Sequence, residues 1–211
     1  MLWRANPPTH RPLGFIEPCL PTNARTVPTG AAWAYEIKHD GFRFICRRDG
    51  DRVRVYSRNG RDWTDRVPLI AEALAKLRVK PVTLDGEGVV CRPDGVSDFD
   101  RLRAAVGRLG SRDAFLYAFD LLELDGENMR LYEWHVRRAT LRSLIKCAGA
   151  GIRLSDHMEG DGTAAFRHAC RMGLEGIVAK RRDKPYRSGR SPDRIKVKNP
   201  DAPAASRIME W

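Results

Sequence analysis

The alternation of apolar and polar positions changes character several times along this chain, and each change predicts an element. WAYEIK (33–38), FRFICRR (42–48) and VRVYS (53–57) are short runs rich in β-branched and aromatic residues, as strands are. Asp49-Gly50, between the second and third, is a hairpin signal. TDRVPLIAEALAKL (64–77) sets Ile70, Leu74 and Leu77 on one helical face behind a Thr64 cap. VTLDGEGVV (82–90) returns to strand texture, and SDFDRLRAAV (97–106) has helical spacing at Phe99, Leu102 and Val106. AFLYAFDLLEL (114–124) is almost continuously apolar, which fits a strand buried on both faces. After Asp125-Gly126, EWHVRRATLRSLI (133–145) predicts a helix with an arginine-rich outer side. TAAFRHACRM (163–172) predicts another, leading into the strand-like LEGIVAK (174–180).

Strands and helices joined by short turns predict an α+β fold with antiparallel sheets flanked by helices. Six prolines within residues 1–30 predict an extended arm rather than helix or sheet. The body then spans 31–199, and 200–211 is a short tail. No internal repeat or low-complexity tract interrupts it.

Composition narrows the function classes. The 211 residues suffice for one domain with a real core. Five scattered cysteines without a CxxC pair predict reduced, buried thiols and no structural zinc. MLWRANPPTHRPLG has no continuous apolar stretch, so neither a signal peptide nor a membrane anchor is expected, and the predicted location is cytoplasmic. Lysine and arginine number 38 against 27 acidic residues, a formal net charge of +11. The segment KRRDKPYRSGRSPDRIKVK (180–198) holds nine basic residues against two aspartates, a patch suited to a polyanion, most commonly nucleic acid.

The candidate chemistry begins at EIKHDGFR (36–43). A lone lysine in a strand usually packs its stem and snorkels its ammonium. To attack phosphorus or carbonyl carbon, an amine must lose its proton, which burial or neighbouring cations favour. Arg43, Lys196 and Lys198 are candidate cations for Lys38 and would also hold phosphates. In LDGEG (84–88), period-two geometry points Asp85 and Glu87 to one face. Two such carboxylates need a cation between them, and hydrated magnesium is a natural occupant of a phosphate site. LEGIVAK places Glu175 in a similar setting, although Asp-Gly and Glu-Gly also suit plain turns. Phe119 lies in a segment apolar enough for core packing or for stacking on a base.

Taken together, KHDGFR, SRNGRDWT, LDGEGVV, FLYAFDLL, LEGIVAK and IKVKN resemble, in order and approximate spacing, the characteristic segments of ATP-dependent DNA ligases of the covalent nucleotidyltransferase superfamily. The likeness is nearest to the ligase module of bacterial end-joining ligases and covers about residues 15–199. It implies an ATP-grasp-like ligase adenylation domain in which Lys38 attacks the α-phosphate of ATP and holds AMP through a P–N bond. AMP then passes to the 5′-phosphate of nicked double-stranded DNA, and a 3′-hydroxyl displaces it. The resemblance places Glu36, Ile37 and Arg43 around the nucleotide, with Arg58 at ribose or phosphate and Phe119 stacked on adenine. It places Glu87 near ribose or the Mg2+ (or Mn2+) that Glu175 helps to hold, Lys196 and Lys198 on the α-phosphate, and Asp40, two residues on along the same strand face, in an orienting role beside Lys38. A monomer working with end-joining or repair proteins is the expected state.

Two departures qualify the resemblance. Arg194 stands where the family often has tryptophan, so packing or a DNA contact should differ there. Only twelve residues follow Asn199, too few for the OB-fold domain that closes over the nucleotide in full ligases, so slow self-adenylation and weak nick sealing are expected of this chain alone. Two alternatives stay open: a catalytically inactive nucleic-acid-binding relative, and an RNA ligase or GTP-using capping-type nucleotidyltransferase.

Overall fold

The computed structural model describes residues 11–108, 110–146 and 148–202. In chain order, the first half contains β1 (Cys19–Asn23), β2 (Trp33–Ile37), β3 (Phe42–Asp49), β4 (Arg52–Ser57), α1 (Pro68–Ala75), β5 (Val82–Val89) and α2 (Phe99–Arg108). The second half contains β6 (Phe115–Leu124), α3 (Trp134–Ile145), β7 (Ile152–Leu154), β8 (His157–Met158), α4 (Gly162–Arg171), β9 (Gly176–Arg181) and β10 (Gly189–Lys198). They form two five-stranded sheets. Sheet A runs β1-β10-β9-β2-β8, and sheet B runs β4-β3-β5-β6-β7.

Period-two alternation explains how the sheets face each other. In sheet A, Tyr35, Ile177, Ala179 and Val197 pack with Ala165 and Ala169 of α4. The intervening Glu36, Lys180, Arg194, Lys196 and Lys198 therefore face sheet B. In sheet B, Phe44, Cys46, Leu84, Leu116 and Ala118 form the main core with Ile70, Leu102 and Leu141 from α1, α2 and α3. This leaves Arg43, Asp85, Glu87, Tyr117 and Phe119 on the side toward sheet A. A charged seam thus lies between two apolar cores. At one end it is closed by Cys19, Ile45, Leu122 and Tyr186.

The α+β class holds, but the sheets are mixed. β1 pairs parallel to β10, and β7 parallel to β6. Parallel pairing needs a long connection, which α3 supplies for β6 and β7 and nearly the whole chain supplies for β1 and β10. Residues 19–23, read from their prolines as arm, thus enter sheet A as an edge strand, where proline is tolerated. The Asp49-Gly50 hairpin forms as expected, Asp49 pairing with Arg52 and Gly50 at φ 59.

Three other expectations change. Thr64 opens a short 3-10 turn (Thr64–Arg66) instead of capping α1, and its hydroxyl accepts the Val55 N–H. α1 starts at Pro68, whose fixed φ suits a first helical turn. Arg137 and Arg138 of α3 turn inward, because the carboxylate of Asp120 and the carbonyl of Ser155 await them. Cys19 and Cys46 are buried and unpaired, while Cys91 and Cys170 are only half-buried; Cys147 lies outside the described residues. Residues 1–10 of the arm and 203–211 of the tail also lie outside them.

Candidate active site

The chain leaves sheet A after Ile37 and enters sheet B at Phe42, so Lys38 sits where the two sheets are joined. Its N–H still donates to the Gly176 carbonyl at 3.0 Å, a last rung beyond β2. Lys38 and Asp40 lie in this link and not on one strand, so the shared-face argument for Asp40 does not apply; it is half-buried in the same link. The link is tight. A Cβ on Gly41 would fall 2.3 Å from the Gly88 carbonyl. Gly176, opposite Lys198, has φ +138, and a Cβ there would fall 2.1 Å from the Val197 carbonyl.

The Lys38 Nζ donates to Glu175 Oε2 at 2.5 Å. Glu175 is buried, and its Oε1 makes no hydrogen bond, with the Lys198 ammonium 3.7 Å away. Lys196, half-buried on the same strand face as Lys198, has its pKa lowered by burial and by the charges of Lys38 and Lys198. Glu87 pairs across the sheet with Arg43 on one side and Tyr117 on the other. Burial pushes its carboxyl up to about 7, although Lys38 and Arg43 pull the other way. His39 stacks on Tyr117 with ring centres 4.0 Å apart, and burial, then the Lys38 charge, hold it down at about 4. Lys38, Glu87, Glu175, Lys196 and Lys198, far apart in sequence, therefore meet at one mouth of the seam.

Deeper in the seam, Arg43 is no free cation for Lys38. Its Nε and Nη2 grip both oxygens of Asp85 at 2.6 and 2.7 Å, and Nη2 also donates to the Cys19 carbonyl. The cation that two same-face carboxylates require is thus already present at Asp85. Phe119 is half-buried, with the Arg43 guanidinium carbon 4.6 Å and the Lys180 Nζ 4.4 Å from its ring centre. Lys180 donates to Glu36 Oε2 at 2.7 Å, while the buried Glu36 Oε1 has no partner. Ile37 turns its side chain toward the α4 core, leaving only its main chain on the seam. Arg58 sits exposed on the turn after β4.

The sequence reading missed Asp120, Arg137, Lys180 and Tyr186. Asp120 takes a bidentate grip from Arg137 at 2.6 and 2.9 Å. The Tyr186 hydroxyl donates to Asp85 Oδ2 and accepts the Cys19 N–H, both at 2.7 Å. The signal for Lys180 was its place in the alternation of GIVAK, two residues from the seam-facing Val178. Lys180 and Arg194 are also two of the nine cations read as a surface patch, and both are buried. A hollow of about 420 Å³ lined by Phe15, Ile16, Leu122 and Arg130 lies elsewhere and shares no residue with the lysine cluster.

Residues 21–198 match the family model of the ATP dependent DNA ligase domain. The multifunctional non-homologous end joining protein LigD of Pseudomonas aeruginosa is 38% identical over 185 residues, covering 87% of this chain and 22% of that protein. The crystal structure of the ligase domain from M. tuberculosis LigD superposes with a TM-score of 0.72 at 35% identity, over 86% of this chain and 60% of that one. A mycobacterial DNA ligase D complexed with ATP and MES gives a TM-score of 0.70 at 34% identity, over 86% and 59%. The chain therefore spans about a fifth of the length of the Pseudomonas relative.

Proposed function

Because this chain belongs to the ATP dependent DNA ligase domain family, we propose that the Lys38 cluster is a nucleotidyl-transfer site that takes AMP from ATP and passes it to a 5′-phosphate in nicked duplex DNA. The observation that carries this reading is the meeting of Lys38 with Glu175, at 2.5 Å, under the Lys196–Lys198 face of β10.

As an ion pair, Lys38 has no lone pair to give. Its proton must leave first, and Glu175 is the acceptor in contact with it. The neutral Nζ then attacks the α-phosphorus. A P–N bond forms, the P–O bond to pyrophosphate breaks, and pyrophosphate leaves with that electron pair. Lys196 and Lys198 offset the negative charge that moves toward the leaving group. Phe119 offers a ring face to the base. The orphaned Glu36 Oε1 is an acceptor suited to an exocyclic amine, which adenine presents and guanine replaces with a carbonyl at the same position.

Glu87 and Glu175 suit a magnesium ion, because one or two carboxylates with phosphate oxygens and water satisfy it, and Glu175 Oε1 has no hydrogen-bond partner. Among the described residues no group of three or more His, Cys, Asp or Glu is placed to hold a metal ion. Such an ion, when bound, supplies Lewis-acid polarisation of phosphoryl oxygens. On this reading the protein acts as a cytoplasmic monomer beside end-joining or repair proteins. No described helix is long and apolar enough to cross a membrane.

Mass spectrometry of the purified protein after incubation with ATP and Mg2+ tests the reading. One added AMP, located on Lys38 and absent with GTP and in Lys38→Ala, is the expected result. Well-folded protein that takes no AMP overturns it. Transfer of radiolabelled AMP from the protein to a nicked duplex, with nicked RNA as the second arm, tests the acceptor.

A further inference from the structure

Inside the seam Lys180, Arg43 and Arg137 each have a carboxylate partner, in Glu36, Asp85 and Asp120. Arg194 is a fourth cation without a carboxylate of its own. It is 3% exposed. Its Nη1 reaches only the carbonyls of Arg181 and Asp193, at 3.4 and 3.3 Å. Its Nη2 makes no hydrogen bond and stands 3.6 Å from Asp120 Oδ2, beyond normal hydrogen-bond reach. A buried, under-satisfied guanidinium costs stability, so its presence calls for a compensating role.

Its position supplies one. Arg194, Lys196 and Lys198 occupy one face of β10, running from the buried interior to the half-exposed mouth. Asp120 belongs to sheet B and directly follows Phe119. The Arg194–Asp120 contact therefore ties the strand carrying the phosphate-facing lysines to the strand carrying the stacking ring. We propose that Arg194 is a positioning residue for lysine adenylation: seated between β10 and Asp120, it sets the height of Lys196 and Lys198 relative to Phe119 and Lys38. The assignment rests on the nucleotidyl-transfer reading above.

The test is single-turnover formation of the AMP adduct across a range of ATP concentrations, with thermal unfolding measured on the same samples, for wild type, Arg194→Met and Arg194→Lys. Misplacing the lysines by a fraction of an ångström should lower the limiting rate constant in Arg194→Met by about tenfold or more. Half-saturation by ATP should stay within about twofold, because the base and ribose contacts are untouched. Arg194→Lys keeps the charge and should recover part of the rate. The melting temperature of Arg194→Met should equal or exceed that of wild type, because Asp120 keeps Arg137 and only the surplus charge is lost. A rate constant equal to wild type, or a loss confined to the fraction of protein that labels, overturns the proposal, since either marks a purely structural residue. Should Arg194→Met not fold, a wild-type rate constant in Arg194→Lys overturns it and a reduced one supports it. Wild-type protein that takes no AMP overturns the adenylation reading and this assignment together, whereas labelled wild type with an unaltered variant overturns the assignment alone.

Discussion

The floor and the mouth of the seam hold similar residues in opposite states. At the floor, Asp85 and Asp120 each have both oxygens gripped by an arginine, and their side chains are buried. At the mouth, Glu87 carries a carboxyl pushed up to about 7 by burial, Glu175 has an oxygen without a hydrogen bond, and Lys198 is 44% exposed. Matched pairs in low dielectric hold geometry but have nothing left to offer a ligand. Mismatched ones are where a phosphate or a cation gains most. The floor is scaffold, and the mouth is chemistry.

The sharpest way to break this contrast is Lys38→Arg. A guanidinium can keep an ion pair with Glu175 but does not deprotonate, so adduct formation should vanish completely while the fold survives. Intact mass measurement and a melting curve report the two outcomes separately. Any AMP adduct elsewhere in that variant would show that Lys38 is not the nucleophile.

Next in size is Asp120→Asn at the floor, which leaves Arg137 and Arg194 buried without a counter-charge and should cost about 3–5 kcal/mol in urea unfolding. Its pH dependence identifies the cause. Against the cost of burial, the charge and hydrogen bonds of Arg137, then Arg194 and Lys180, hold the Asp120 carboxyl at about 2, below its ordinary 3.8. A depressed carboxylate contributes stability above its unfolded value, and that contribution is lost as pH falls through the folded one. Wild type should therefore lose stability on going from pH 3.8 toward 2, and the variant should lack that component.

These two sites also mark what the sequence could and could not disclose. Lys38, Glu87, Glu175, Lys196 and Lys198 were legible because each sits in a short motif, and the alternation in WAYEIK, LEGIVAK and IKVK already separates seam from core. The glycines of LDGEG were not. Gly86 and Gly88 lie on the core side, where a Cβ would come within 2.7 Å of Leu116 and 2.2 Å of Phe44, a reason that exists only once β3, β5 and β6 are packed. The inward turn of Arg137 was equally hidden, because its partner lies 17 residues earlier on strand β6 and helical periodicity says nothing of it. The shared strand face expected of Lys38 and Asp40 fails for a simpler reason: the strand ends at Ile37, one residue before Lys38.

A smaller effect should come from Glu87→Gln at the mouth, measured in chelator-containing buffer. With its folded carboxyl at about 7 against an ordinary 4.5, ionisation of Glu87 is disfavoured in the fold. The penalty grows between those two values and is constant above the higher one. The glutamine variant should be more stable than wild type by on the order of 3 kcal/mol at pH 8 and equal to it near pH 4. A gain of the same size at both pH values would mean that packing, not charge, is responsible.

The smallest effect on stability is expected from Lys198→Ala. Its ammonium is 44% exposed and 3.7 Å from Glu175, a distance at which water competes well with the pair. Exposed ion pairs of this kind contribute little, so the change in unfolding free energy should stay below about 0.5 kcal/mol. The same side chain lies at the outer end of the β10 face that meets the phosphates in the proposed reaction, so the rate of adduct formation should nevertheless fall. Stability and rate would then separate at the mouth, whereas at Asp120 they should fall together. If Lys198→Ala instead destabilised the protein as strongly as Asp120→Asn, the mouth would be scaffold too, and the division of the seam into a closed floor and an open reactive end would fail.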